Sequence, residues 1–446
     1  MTRSILTTLL LPLVLCSTLF AQVEMREEIS LANHAAGSGR IVLPQSSIHR
    51  AEDIGLRSRT QFKILIPSGR PEGVVGFSEA EFTPEATQPI SGVYAETPAS
   101  LACLYGLVAA TAGCNPVSLN TVATGGSKAI AIVDAYDYPT ALVDLTAYSK
   151  QFGVAAPTSA TFTVAYPSAT KPLPDPDCAE YGGWSCWASE SALDIEMAHA
   201  VAPSAHIYLV EANSNSNADL MAAVAKAIAL VRAAGGGEVS MSWGGDEFPT
   251  EANSDSAFTG ANVVFFAASG DGEGTSYPTV SPNVVAIGGT TISRNPSNLN
   301  FQGELAWEDT GGGFSQYEAR PAFQSGISAL VGTHRGVPDV AAVGNPRTGV
   351  WVYNSYENNY GGTLYAWSIF GGTSVAAPLW AGIVNHAGHF SASTAAEEAL
   401  IYASAKTSAD FRDITAGSCG FYEGWSAVSG WDPCSGNGAP LGTAGK

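Results

Sequence analysis

From about residue 96 onward, short apolar or β-branched runs alternate with helical stretches and glycine-rich turns. Ala129-Ile130-Ala131-Ile132-Val133-Asp134 predicts a buried strand, and His206-Ile207-Tyr208-Leu209-Val210 and Asn262-Val263-Val264-Phe265-Phe266-Ala267 predict two more. Ala218 to Ala234, rich in Ala, Leu, Val and Met, predicts a helix. Continuous apolar strands interleaved with helices imply an α/β fold, a central and mostly parallel sheet with helices on both faces. Chemistry in such sheets collects at the carboxyl ends of the strands. Polar or glycine-rich groups fall there: Asp134-Ala135-Tyr136-Asp137, Ser242-Trp243-Gly244-Gly245 and Ser269-Gly270-Asp271-Gly272. Residues 22–95 carry no strong periodicity and no catalytic pattern, only short apolar segments such as Phe62-Lys63-Ile64-Leu65-Ile66-Pro67.

Composition narrows the classes. With 20 basic and 40 acidic side chains the formal charge is −20. This excludes a nucleic-acid binder, which needs a basic face to displace counterions, and disfavours an anionic membrane surface. Only 13% of residues are charged and 46% are hydrophobic, so the chain is not a disordered acidic one. Met1-Thr2-Arg3, an apolar run from Ile5 to Phe20 and then Ala21-Gln22 predict a secretory signal over residues 1–21. Removing Cys16 with it leaves six cysteines, Cys103, Cys114, Cys178, Cys186, Cys419 and Cys434. Many pairings are open, the sequence-local one being simplest, and disulfides suit an oxidising compartment. Zinc competes poorly, because no CxxC or HxxxH spacing accompanies these cysteines.

Gly371-Gly372-Thr373-Ser374-Val375-Ala376-Ala377-Pro378 is the most informative stretch. The glycines allow close approach of a substrate backbone. Ser374 falls at a helix N-terminus, where free N–H groups favour developing negative charge. Pro378 in the second turn is costly for an ordinary helix, by roughly 3 kcal/mol. Glu190-Ser191-Ala192-Leu193-Asp194 puts two carboxylates one helical turn apart on one face. Two like charges there repel, so something must compensate, and coupling pushes one pKa upward. Phe265-Phe266-Ala267-Ala268-Ser269-Gly270-Asp271-Gly272 sets an aspartate after a strand and a glycine turn. Asp413-Ile414 and Gly430-Trp431-Asp432 place two more near glycine turns, as a hard cation with oxygen ligands requires.

Gly-Thr-Ser-x-Ala-x-Pro resembles the serine signature of the subtilisin-like fold, yet none of the seven histidines lies in the His-Gly-Thr segment of subtilisins proper. Glu190, Asp194, Asp271 and Ser374, in this order and with these flanks, resemble the tetrad of the sedolisin family, the serine-carboxyl peptidases. Val239–Gly245, Val285–Thr290 and Gly311–Ser315 match as well, and the likeness covers roughly residues 96–446. The resemblance implies a secreted endopeptidase that works through an acyl-enzyme in acid. Ser374 is then the nucleophile, Glu190 the general base and acid, Asp194 its orienting partner, and Asp271, protonated, an oxyanion donor. Ser242, Trp243 and Gly244 would bind substrate backbone. One structural calcium would take Asp413, Asp432 and the carbonyls of Ile414 and Gly430, with Val428 a further carbonyl position. Asp134 is read as structural, a cap for the next helix.

The expected organisation is a leader at 1–21, an N-terminal segment at 22–95 that could be a reduced propeptide, and a peptidase domain at 96–446 whose mature start lies near Thr97–Leu101. The usual family prodomain is longer. The expected partners are polypeptide substrates, with no nucleic acid and no membrane after leader removal, for an extracellular or periplasmic monomer. A catalytically idle binding protein on the same fold is the alternative. A hydrolase of the α/β-hydrolase type lacks its GxSxG elbow here.

Overall fold

The computed structural model describes residues 39–446, apart from 72, 112, 406–408 and 421–423. The expected leader, with Cys16, lies outside the described residues. The three strands read from the sequence form as Ala129–Ala135, His206–Ala212 and Val263–Ala268, and the Ala-rich helix as Asn217–Ala233.

They belong to one eight-stranded sheet. Its order is Phe301–Ala306, Val285–Arg294, Val263–Ala268, Gly237–Met241, Ala129–Ala135, His206–Ala212, Phe162–Ala165, with Val340–Val343 added beside Val285–Arg294. Phe301–Ala306 pairs antiparallel and the others parallel. Alternate side chains feed two cores, as the strand period of two demands. Val263, Phe265 and Ala267 meet Val224, Ala227 and Val231 of the Ala-rich helix. Val264, Phe266 and Ala268 join the opposite core with Leu193 and Val375.

Two helices in that opposite core carry Glu190, Asp194 and Ser374. Trp187–Val201 and Thr373–Ala387 pack on one another, at a spacing so close that a Cβ on Gly382 would strike the Val201 side chain. All fifteen residues of Trp187–Val201 are buried, Glu190, Asp194, Glu196 and His199 included.

The N-terminal segment is built into the same body. Gly39–Val42, Lys63–Pro67, Trp367–Gly371 and Val350–Tyr353 form a second, antiparallel sheet in that order. Arg59–Thr60 pairs with Trp243–Asp246, whose other edge holds Ser276–Tyr277. Further on, Thr97 caps the helix Pro98–Leu104 in a reciprocal box with Ser100, and Glu96 is buried in a pair with Arg294 (2.7 Å). The three sequence-local disulfides are present: Cys103–Cys114, Cys178–Cys186 and Cys419–Cys434. No helix among the described residues is long and apolar enough to cross a membrane.

Candidate active site

Ser374 is the second residue of its helix, behind Gly372 at φ 119°. A Cβ on Gly372 would run into both the Asp271 carboxylate and the Gln61 carbonyl, so only glycine fits. The Ser374 hydroxyl donates to Glu190 Oε2 at 3.0 Å and lies 3.2 Å from the Ser242 carbonyl. Pro378 has no N–H to offer the Ser374 carbonyl one turn back. Its place is taken by the Ser242 hydroxyl, 3.4 Å away, which also donates to Asp194 Oδ1 at 2.8 Å. Ser242 thus ties the two functional helices together.

The repulsion between Glu190 and Asp194 is not relieved by a cation. Burial first, then the Asp194 and Asp134 charges, push Glu190 well above the ordinary carboxyl range. Burial and Asp134 do the same to Asp194. Asp134 itself is fully buried and is pushed up to about 7 by burial, which a nearby Ser191 hydroxyl only partly offsets. Neither Asp134 oxygen, nor Glu190 Oε1, nor Asp194 Oδ2, meets a hydrogen-bond partner of ordinary geometry. Three carboxyls in a dry pocket cannot all ionise, and protons held among them are the compensation the sequence demanded.

Asp134 is therefore not the helix cap it was expected to be. The following helix, Ala141–Phe152, starts at Thr140 and has no side-chain cap bond. The signal available was its position at a strand end beside a helix of acids, but no local pattern pointed across the sheet. Asp137, next in that loop, pairs with Lys171 at 2.9 Å instead.

Asp271 faces the serine from the other side. Its Oδ1 accepts the Thr373 N–H (2.7 Å) and hydroxyl (2.9 Å), while Oδ2 is buried and bare. Burial pushes Asp271 up to about 7, against the pull of the Lys63 ammonium and the Thr373 donors. Below that pH Oδ2 can carry a proton and donate it. Trp243 and Gly244 lie on a strand paired with Thr60 and Arg59 on one edge and with Ser276–Tyr277 on the other, and Trp243 is buried with its indole N–H on the Val133 carbonyl (2.8 Å).

Near the C-terminus, Asp413 accepts the Gly430 N–H (3.1 and 3.2 Å) and the Ser429 hydroxyl (3.0 Å). Asp432, 1% exposed, accepts the N–H groups of Val428, Cys434 and Ser435. Neither aspartate pairs with a Lys, Arg or His among the described residues. Asp413 is thus tied to Gly430, and Asp432 to Val428, through their N–H groups, and Ile414 beside Asp413 is buried. Two aspartates without a cationic partner among the described residues are the kind of oxygen donor a hard cation takes.

A family model for the subtilase family matches residues 185–421, more than half of the chain. Kumamolisin of Bacillus sp. (strain MN-32) is 30% identical over 355 residues, 71% of this chain and 59% of that one. Sedolisin of Pseudomonas sp. (strain 101) is 31% identical over 170 residues, 35% of this chain and 27% of that one. The chain thus spans about three-fifths or less of these relatives' lengths. A solved Pseudomonas sedolisin, described as a serine-carboxyl proteinase complexed with two molecules of pseudo-iodotyrostatin, superposes with a TM-score of 0.60 at 23% identity, covering 78% of this chain and 95% of that one, and so shares the fold. With a glutamate and two aspartates gathered around its serine helix where a histidine would otherwise stand, the chain belongs to the subtilase family, in its sedolisin group.

Proposed function

We propose that the chain is a serine-carboxyl endopeptidase that hydrolyses peptide bonds through an acyl-enzyme in acid. One observation carries this: the Ser374 hydroxyl already donates to Glu190 Oε2, in a site where Asp194 backs the glutamate and Asp271 presents a bare carboxyl oxygen. Glu190 takes the hydroxyl proton as Ser374 attacks the carbonyl, and returns it to the leaving amine. Asp194 and Asp134 hold their protons and keep Glu190 the group that exchanges one. The Ser374 N–H and protonated Asp271 stabilise the oxyanion. Water then repeats the sequence on the ester. Substrate backbone pairs with Trp243–Asp246, a main-chain recognition that tolerates many side chains.

Residues 1–21 act as a secretory leader, and the peptidase domain proper occupies 96–446, with 22–95 as its N-terminal segment. Asp413, Asp432 and the carbonyls of Ile414 and Gly430 would hold one calcium, whose charge supplies the counter-ion the two aspartates lack. The test is digestion of denatured casein from about pH 3 to about pH 7, where carboxyl and not imidazole chemistry should govern the rate. Wild type should cleave, most strongly in acid, and Ser374→Ala should not. Equal and negligible cleavage by both sinks the proposal.

A further inference from the structure

The catalytic cleft is occupied by the chain itself. Arg59 and Thr60 pair antiparallel with Gly244 and Trp243, and Lys63, Ile64 and Leu65 with Gly371, Phe370 and Ile369. The stretch therefore runs extended between both walls of the site and crosses the nucleophile at Gln61–Phe62. The Gln61 carbonyl accepts the Ser374 N–H at 3.0 Å, the distance expected of an oxyanion donor. A Cβ on Gly372 would strike both that carbonyl oxygen and Asp271 Oδ2, so the two oxygens border one point. The Gln61 N–H lies 3.2 Å from both Ser374 Oγ and Glu190 Oε2. The flanking side chains are seated as well. Gln61 Oε1 accepts the Asp271 N–H (3.1 Å), Phe62 stacks on Phe370 (centroids 5.1 Å apart), and Lys63 reaches Asp309 at 2.6 Å. A segment that merely covered the cleft would have no reason to turn one carbonyl onto the serine N–H, on the side where the bare aspartate oxygen lies.

From this we infer that Gln61–Phe62 is a bond the chain cuts in itself, an inference that rests on the peptidase reading above. Ser374 Oγ bonds to the Gln61 carbonyl carbon as its proton passes to Glu190. The Gln61–Phe62 C–N bond breaks and that proton goes to the departing Phe62 amine. Water, deprotonated by Glu190, then attacks the Gln61–Ser374 ester, leaving a Gln61 carboxylate and restoring the serine. Phe62 becomes the first residue of the enzyme, ahead of the mature start expected near Thr97. The piece ending at Gln61 stays held by four residue pairs between Gly39–Val42 and Lys63–Pro67, and by Arg59 and His49 on Asp246. Until it leaves, it fills the edge of Trp243–Asp246 that another polypeptide would need.

The test follows purified full-length chain in acid by intact mass and N-terminal sequencing, with casein digestion read from the same samples. Wild type should yield a chain beginning at Phe62 and a fragment ending at Gln61, at a rate independent of protein concentration. Ser374→Ala should stay whole. Phe62→Pro should lose the cut, with circular dichroism to confirm that it folds. Gln61→Ala, smaller and neutral, should still be cut at the same bond. Casein digestion by a chain left whole at 61–62, a cut elsewhere, or a rate proportional to concentration overturns the inference and leaves the peptidase reading standing. A whole chain that also leaves casein intact takes down both.

Discussion

Stability of this protein should fall as the pH rises from acid to neutral, and Asp134→Asn measures the effect. Folded Asp134 keeps its proton up to about 7, against 3.8 for an unburied aspartate. Between those values the folded chain binds the proton and the unfolded chain does not. The stability it contributes is thus complete below the ordinary aspartate range and is lost as pH climbs through about 7. One such group is worth about 1.4 kcal/mol per pH unit in that window, so the loss approaches about 4 kcal/mol. Glu190, Asp194, Glu196, Glu238 and Asp271 are raised in the same direction, with burial the leading cause in each. His199 and His206, both lowered by burial, act the opposite way, as do the lowered carboxyls of Glu81 and Asp246, but raised carboxyls are more numerous among the described residues.

Asparagine copies the protonated aspartate in shape and cannot ionise. In a Ser374→Ala background, which prevents self-digestion, Asp134→Asn should match its parent near pH 4 and exceed it near pH 8. For a chain of this size about 1 °C of melting temperature accompanies each kcal/mol, so the gap should reach about 4 °C. Melting curves followed by circular dichroism at intervals across that range measure it. A parent whose melting temperature is flat or rising from acid to neutral, or an asparagine variant that tracks it throughout, would refute the reasoning.

Other consequences are as direct. Asp271 is pushed up to about 7, so its donor form disappears as pH rises through that value. Asp271→Asn should therefore retain more casein activity at neutral pH than Asp271→Ala, which should lose on the order of a hundredfold or more at every pH; identical profiles would remove the oxyanion role. A chelator should lower the melting temperature of the parent but not of Asp413→Ala, because a ligand that binds only the folded state stabilises it by mass action. Gly372→Ala should be inactive and melt lower than its parent, since at φ 119° its Cβ would strike the Gln61 carbonyl and the Asp271 carboxylate; an active variant as stable as its parent would refute this.

Sequence made the sheet and most of the site legible, and the reason is locality. Glu190 and Asp194 are four residues apart on one helix, and Ser374 announces itself by the glycines before it and the proline after. The strands were readable because burial on both faces leaves an apolar run in the chain itself, as in Ala129–Ala135. Asp134 was misjudged because its neighbours come from a helix more than fifty residues on, and a strand-end aspartate looks the same whether it caps or is trapped. Gln61 was invisible. It engages the site mainly through its own N–H and C=O, with groups 129 and 313 positions away, and every residue has such groups. Lys63–Pro67 was similarly obscured, since it is short and pairs only with strands at 39–42 and 367–371.

The net charge of −20 acquires a mechanism from these buried groups. An acidic composition is ordinarily a matter of surface and solubility. Here a share of the acids is interior: Asp134, Glu190, Asp194, Glu196, Glu238 and Asp271 are each at most slightly exposed. Lys63 pulls on Asp271 and Lys128 on Glu238, but burial outweighs both. Protons must neutralise these acids, and the same protons let Asp271 donate to an oxyanion. A mutation that stabilised the fold at neutral pH by placing a cation among these carboxyls would therefore disarm the site, holding Asp271 and its neighbours ionised. On the proposed mechanism, acid that strips charge from the surface also keeps Asp134 and Asp271 protonated, so the pH that stabilises this interior is the pH at which Asp271 can donate.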